Sequence, residues 1–457
     1  MKVVIVGFGA MAAALLPIMK SEFATLIKSI HIYDPSIEPE TEYSPGFSTH
    51  RVRKKLTKEN LAETLKNLDA ESFLINLSVD VSSKDLVKLA NAKGSLYIDT
   101  CIEPWLGHYN NPTLPLADRT NYYLREQILA LRKELGQGPT AVIAHGANPG
   151  LVSHFVKRAM LHLYRDIART PLTTPQSKCD WAKLSNTLGI KVIHIAEHDT
   201  QIAKIPKHAN EFVNTWSVDG FISEGQQPAE LGWGTHEYSI PDTAAHHLIG
   251  SKCAIYFDRP GAMIRVRTWT PAQGACLGYL ITHNETISLA EYLSLYQDGA
   301  LTYRPTVNYA YHPCNDAVLS LHELSGRSWT PQTTKRVLRG EDISEGADFL
   351  GVLLMGHEKN AYWYGSTLSN TAAQVLGYEC SATSMQVVAG LVSGMKWALA
   401  NPDRGITEPE DMDFEFVLRA AEPYLGHLTG VYTNWLPGND LYPKKNQDKW
   451  QFENFLE

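Results

Sequence analysis

Lys2-Val-Val-Ile-Val-Gly7-Phe-Gly9-Ala10-Met11-Ala12-Ala-Ala-Leu-Leu16 is the stretch that decides the fold. An apolar run of strand type meets Gly7-x-Gly9-x-x-Ala12, and a helical stretch follows without interruption. Gly7 permits the tight turn, Gly9 lets backbone approach a pyrophosphate, and small Ala12 allows the helix to pack closely on the strand. The helix N-terminus then faces negative charge. Ser29–Tyr33 reads as the next strand, and Asp34 ends it where a ribose-binding acid belongs. A carboxylate there accepts hydrogen bonds from both ribose hydroxyls and repels a 2′-phosphate. The unit from Lys2 to Asp34 therefore predicts a nicotinamide dinucleotide site that favours NAD over NADP. FAD uses the same loop, but no further flavin-binding segment is recognisable.

Outward from this unit, short apolar runs alternate with helical stretches: Lys58–Leu68 (helix), Phe73–Ser78 (strand), Lys84–Asn91 (helix), Leu96–Asp99 (strand), Arg119–Leu135 (helix) and Thr140–His145 (strand). Such alternation is the grammar of a doubly wound parallel sheet, a Rossmann domain, here placed at residues 1–149. Beyond Gly150 beta-rich segments follow one another: Lys191–Ile195, Phe212–Val218, Ala254–Phe257, Ala262–Thr268 and Cys276–Thr282. Asp258-Arg-Pro-Gly261 supplies turn chemistry, and Ser288-Leu-Ala-Glu291 reads as a capping box opening a helix. Leu350–Met355 and Ala361–Tyr364 read as a hairpin. Residues 150–382 are thus an α+β domain with a mixed or antiparallel sheet, serving substrate binding and dimerisation. A buried helix at 383–400 is placed to return to the first domain, leaving 401–457 as a C-terminal segment.

The 457 residues carry a net charge of −8, and Lys and Arg form no long run, which argues against nucleic acid as a partner. Six cysteines without a CxxC pair argue against a structural metal or a disulfide framework. The most apolar later stretch, Met385–Leu399, is too short and too interrupted to span a membrane. Met1 leads directly into a strand with no signal-peptide pattern, so the expected location is cytoplasmic.

In a doubly wound sheet, chemistry collects at the carboxyl ends of the strands. Asn76-Leu-Ser78-Val-Asp80, Asp99-Thr100-Cys-Ile-Glu103-Pro-Trp and His145-Gly-Ala-Asn148-Pro-Gly occupy those positions, although each residue type is also an ordinary turn former. In the second domain Glu197, Trp216 and Glu224 sit in or beside beta segments, and His283 ends another. Individually these read as surface acids and a core tryptophan; together they would suit a cation, particularly an ammonium or iminium. Glu408 reads as a surface acid.

VGFGAMA (6–12), IDTCIEPW (98–105), HGANPGLVSHF (145–155), NTWSVDGFISEG (214–225) and SATSMQVVAGLVSGMKWAL (381–399) together resemble the bacterial homospermidine synthase family, distant relatives of saccharopine and carboxynorspermidine dehydrogenases. The resemblance covers essentially the whole chain. It implies transfer of an aminobutyl group from putrescine, or spermidine, to putrescine, giving homospermidine and ammonia. NAD would be reduced and reoxidised within one cycle, in a homodimeric enzyme. It further implies Trp216 as the aromatic face for the cationic imine, Glu224 and Glu197 as acids anchoring the reacting amine, and Asn148 beside the nicotinamide. Glu103 and Asp348 would hold the distal ammonium, and His283 would carry a proton. Gly7, Gly9, Ala10, Met11, Asp34, Ser78, Asp80 and Thr100 would line the NAD. Two other readings stay open: a net NAD(P)-dependent dehydrogenase of the saccharopine type, which should present Arg or Lys to a carboxylate substrate (Arg259, Arg265, Arg267 and Arg304 are available), and a non-catalytic NAD-binding regulator.

Overall fold

The computed structural model describes residues 1–168, 173–376, 379–438 and 448–457. In the first domain the chain runs β1 (Lys2–Val6), α1 (Ala10–Glu22), β2 (Ser29–Asp34), β3 (Glu40–Ser44), β4 (Phe47–Arg53), β5 (Ser72–Asn76), α2 (Ser83–Lys93), β6 (Leu96–Asp99), α3 (Asn121–Leu135) and β7 (Ala141–Val142). β1 pairs in parallel with β2 and β5, and β5–β6–β7 continue in parallel, so their carboxyl ends share one edge. Buried Val3–Val6 and Phe73–Ile75 explain why these strands read as continuous apolar runs: both faces are covered.

The rest of the chain, which builds the second domain and returns to the first, contributes α4 (Leu151–Ala168), β8 (Val192–Asp199), β9 (Glu211–Asn214), α5 (Val218–Gln226), β10 (Pro228–Gly232), β11 (Ala244–His246), β12 (Ala254–Pro260), β13 (Arg265–Thr270), β14 (Gly274–Tyr279), α6 (Asn284–Tyr292), β15 (Thr306–His312), β16 (Ala347–Met355), β17 (Ala361–Ser369), α7 (Ala382–Ala400), β18 (Ile406–Thr407), α8 (Phe414–Ala421) and β19 (His427–Thr433). Its sheet runs β11-β12-β10-β15-β8-β16-β17-β19, with β14 also joined to β15 and β13 to β14. The sheet is mixed: β8 runs parallel to β15 and antiparallel to β16.

Several local readings need correction. Only Leu61–Thr64 of Lys58–Leu68 is helical, because the Asn60 side chain accepts from Thr57 N–H and donates to Lys55 C=O, competing with the helical backbone bonds. Phe212–Val218 is not one strand: β9 stops at Asn214, and the Ser217 hydroxyl accepts from Gly220 N–H to begin α5, so Glu224 stands on a helix. The helix assigned to a Ser288 cap already begins at Asn284, and the Ser288 hydroxyl instead donates to buried Glu410 at 2.8 Å. Strands β3 and β4 and the 18-residue helix α4 were not foreseen.

The chain crosses between domains more than once. α7 packs on α1 and β6, and β18 pairs with β7, so part of 401–457 completes the first sheet while β19 extends the second. Gly390 is required there: a Cβ would stand 2.0 Å from the Gly146 carbonyl oxygen, so only glycine lets α7 press on the loop that carries Asn148. Across the interface, buried Glu230 of β10 accepts the N–H groups of Asn121 and Tyr122, which opens α3 on a carboxylate. Arg125 of α3 is buried between Glu291 and Glu408, which makes Glu408 a structural ion-pair partner rather than a surface acid. Among the described residues no helix is long and apolar enough to cross a membrane.

Candidate active site

The turn after β1 carries the first half of the site. Gly7 has φ +88°, and a Cβ there would meet Leu77 and Ser78 backbone at 2.8 Å, so the turn admits no side chain. Gly9 differs, because a Cβ would meet nothing within 4 Å. Its missing side chain leaves an empty cradle at the N-terminus of α1, whose cap makes no side-chain hydrogen bond. Gly9 and Ala10 face a recess walled on the far side by Arg339, Ser381 and Ser384. These features fit a dinucleotide pyrophosphate, which needs close backbone approach and free N–H groups. Gly9→Val should leave the fold intact, since Gly9 is in extended backbone with open space beside it. It should weaken NAD binding about tenfold or more, as read by titration calorimetry.

Asp34 accepts hydrogen bonds from Phe8 N–H at 2.9 Å and from Ser36 N–H and Oγ–H at 2.7 and 2.6 Å. Burial works against its charge, but the Ser36 and Phe8 bonds prevail and hold the carboxyl below its ordinary pKa. A permanent anion at this point suits NAD. Arg53, its partner across β4, is engaged by Ile37 C=O and Glu38.

One cavity then unites the two domains. Met11, Ser78, Thr100 and Glu103 line it from the first, Asn148 from the connecting loop, and Glu197, Trp216, Glu224 and His283 from the second. Of the other expected residues, Gly9 and Ala10 line the recess at α1 instead, and Gly7 and Asp34 line neither space. Asp80 is exposed, and Asp348 is wholly buried behind the wall.

Strand alternation explains the acidic wall. Glu197 and Asp199 are two residues apart on β8 and share a face; Tyr311 of β15 stands opposite Glu197, and Asp348 of β16 opposite Asp199. Glu197 accepts from Asn148 Nδ2 at 2.5 Å and Tyr309 O–H at 2.6 Å. Burial lifts its pKa from the ordinary 4.5 to about 7 against those two bonds, with Asp199 adding to the rise. Asp348 is pushed well above the usual carboxylate range by burial and by the neighbouring charges of Glu197 and Asp199. Burial likewise drives Glu103 well upward; the Cys101 thiol, donating to it at 3.2 Å, opposes this. Such a nest of reluctant anions is relieved by an incoming ammonium.

Glu197 holds its proton more tightly folded than unfolded, so the contribution is full below pH 4.5 and is lost as pH rises through about 7. Glu197→Gln, which is never ionised, should therefore melt about 2–4 °C above the ligand-free wild type at about pH 8. In thermal scans the difference should shrink to nothing towards pH 4.5.

Trp216 is set in the junction between β9 and α5. Thr215 beside it donates to Asp199 at 2.6 Å, and its carbonyl accepts from Ser381 and Ser384 at the start of α7. The indole N–H donates to Tyr311 Oη at 3.2 Å, so the ring orientation is held from both ends. Ser217, Gly220 and Glu224, at helical spacing, turn one face of α5 to the cavity. His283 caps α6, lies on Tyr309 with ring centroids 4.4 Å apart, and is bracketed by Glu224 at Nε2 (3.1 Å) and Glu285 at Nδ1 (3.3 Å). Burial opposes its charge, but the carboxylates of Glu285 and Glu224 raise its pKa to about 10.

Sequence reasoning missed Asp199, Tyr309, Tyr311 and Glu285. The alternation Glu197-His-Asp199 and Tyr309-Ala-Tyr311 was the available signal, since it marks side chains sharing one strand face.

Family models agree with this two-part architecture: the saccharopine dehydrogenase NADP binding domain matches residues 3–142 and the saccharopine dehydrogenase C-terminal domain matches 146–432. Homospermidine synthase of Blastochloris viridis is 47% identical over 99% of this chain and 97% of its own length. The enzyme of that name from Mesorhizobium japonicum is 45% identical, over 99% and 96%. The chain belongs to the homospermidine synthase family. A solved structure of the Legionella pneumophila homospermidine synthase, in complex with NAD, superposes with a TM-score of 0.88 at 44% identity, covering 100% of this chain and 97% of that one. The family's cofactor is thus NAD, as Asp34 predicts, whereas the domain model's description names NADP.

Proposed function

We propose that this chain is an NAD-dependent homospermidine synthase, transferring an aminobutyl group from putrescine, or from spermidine, to putrescine. The observation that carries the reading is the shared cavity: cofactor-side Met11, Ser78 and Thr100 face the same space as Glu197, Trp216, Glu224 and His283. NAD, when bound, supplies a hydride acceptor that becomes the donor later in the same cycle.

The rest falls to the protein. A diamine arrives as a dication, and Glu197 and Glu103, which both line the cavity, hold its charged end, with Asp348 buried behind the wall. The reacting nitrogen must become neutral before the carbon that bears it can lose hydride, and Glu224 accepts that proton. Trp216 and Tyr309 offer aromatic faces that stabilise an iminium without attacking it. A second neutral amine then adds to the imine, ammonia departs, and hydride return yields the secondary amine. Glu230 and Arg125 tie the two domains together, and a cavity closed to water would protect the imine from hydrolysis.

A net dehydrogenase acting on carboxylate substrates would want a cation in this pocket. Among the described residues no Arg or Lys lines it. Arg265 pairs with Glu457 and Arg304 is spent on Ser294 and Lys252 C=O. That favours the transferase.

The test is incubation of purified protein with putrescine and catalytic NAD, followed by mass spectrometry. Homospermidine without accumulated NADH is expected. Stoichiometric NADH, or dependence on a keto acid, would point to the dehydrogenase, and no turnover with any amine to a regulator.

A further inference from the structure

Glu285 takes no part in the scheme above, yet it is among the most enclosed acids of the molecule. Its side chain is fully buried, and it does not line the amine cavity. One carboxylate oxygen meets His283 Nδ1 at 3.3 Å, while the other is buried with no hydrogen-bond partner. The residue lies in the first turn of α6, where the helix N-terminus favours negative charge. The His283 carbonyl is fixed in turn by Thr286, whose hydroxyl donates to it at 2.8 Å. On its far edge His283 meets Glu224 through Nε2.

We infer that Glu285 is a positioning residue that holds His283 doubly protonated, with Nε2–H aimed at Glu224, so that His283 enters the cycle as proton donor and Glu224 as proton acceptor. An imidazole lying between two carboxylates satisfies both only by donating from both nitrogens. The groups that face it from each packed element agree: Glu224 from α5, Glu285 from α6, the Tyr309 ring from β15, and Glu197 of β8 through its field. Among the described residues no Lys or Arg lines the cavity to oppose them. Burial works against the charge, but the two carboxylates outweigh it.

The division of labour matches the needs of amine exchange. As the second amine adds to the imine carbon, a C–N bond forms and the attacking nitrogen must lose one proton. The departing nitrogen must gain one before its own C–N bond breaks. Glu224, having released the first amine's proton to solvent, takes the first of these protons and His283 Nε2–H supplies the second. The proton on Glu224 then passes to His283 Nε2, restoring both groups with no net proton change. A neutral His283 would leave the departing amine without a donor. This step rests on the transferase reading, whereas the double protonation of His283 does not.

The experiment is ¹⁵N NMR of the histidine-labelled holoenzyme, with His283→Gln to assign the resonance, beside pH profiles of homospermidine formation for wild type, Glu285→Gln and Glu285→Asp. In the wild type His283 should stay doubly protonated through about pH 8, well above the ordinary histidine range. In Glu285→Gln, which keeps an acceptor for Nδ1–H but loses the charge, the ring should titrate about one pH unit lower or more, a tenfold change in proton affinity. The alkaline limb of kcat should move with it, and Glu285→Asp should largely restore both. A neutral His283 in the wild type at about pH 7 would overturn the inference, whatever the activity. So would a loss of kcat at every pH with an unmoved titration, which marks a merely structural role. If Glu285→Gln fails to bind NAD, the wild-type spectrum and the aspartate variant carry the same test.

Discussion

Glu224→Gln should lower turnover about 10²–10⁴-fold, the range lost when a positioned proton carrier is removed. The amide keeps the shape of the side chain and can still accept from His283 Nε2, so the fold and the cavity wall should stay as they are. What disappears is the capacity to take a proton from an ammonium. NAD affinity should change little, because the cofactor's loop lies on the other domain, and KM for putrescine should move less than kcat. The comparison needs an acid without a partner role. Glu408 is unsuitable because it pairs with buried Arg125; exposed Glu415 on α8 serves instead. If Glu224→Gln and Glu415→Gln behaved alike in steady-state assays, Glu224 would have no place in the chemistry.

Trp216→Ala should cut turnover about 10–100-fold with NAD binding nearly intact. A desolvated cation–aromatic contact accounts for about 0.5–2 kcal/mol, and admission of water to the imine adds to the loss. A second readout distinguishes the two contributions. Opening the wall should raise the fraction of bound imine hydrolysed to aminobutyraldehyde, measured by trapping the aldehyde. Trp216→Phe, which retains an aromatic face but loses the N–H bond to Tyr311, should recover much of the rate. Should NAD affinity fall in proportion to activity, the indole belongs to the cofactor site and not to the amine pocket.

How much of this was legible in the chain depends on range. α1, the β5 and β6 strand ends, the β16–β17 hairpin and the buried α7 are local patterns and could be read directly. Lys58–Leu68 misled because helical spacing of leucines is preserved in a segment whose backbone Asn60 diverts. The beta-rich run Phe212–Val218 predicts a strand beside Glu224, whereas the Ser217 cap that begins a helix there is a single side-chain bond. Asp348 was expected in the pocket; its burial behind Glu197 follows from the pairing of β16 with β8, which no local pattern encodes.

The Gly7–Asp34 unit was determined by the sequence alone, because turn, cradle, helix start and ribose acid all lie within one continuous stretch whose backbone demands are local. The amine site was decided by tertiary structure. Glu224 and His283 are 59 residues apart, and Tyr309 is 112 from Glu197; only the β8–β15 register and the packing of α5 and α6 bring them into contact. The same packing encloses Glu285 against His283, with one carboxylate oxygen at Nδ1, because α6 is buried between the two domains.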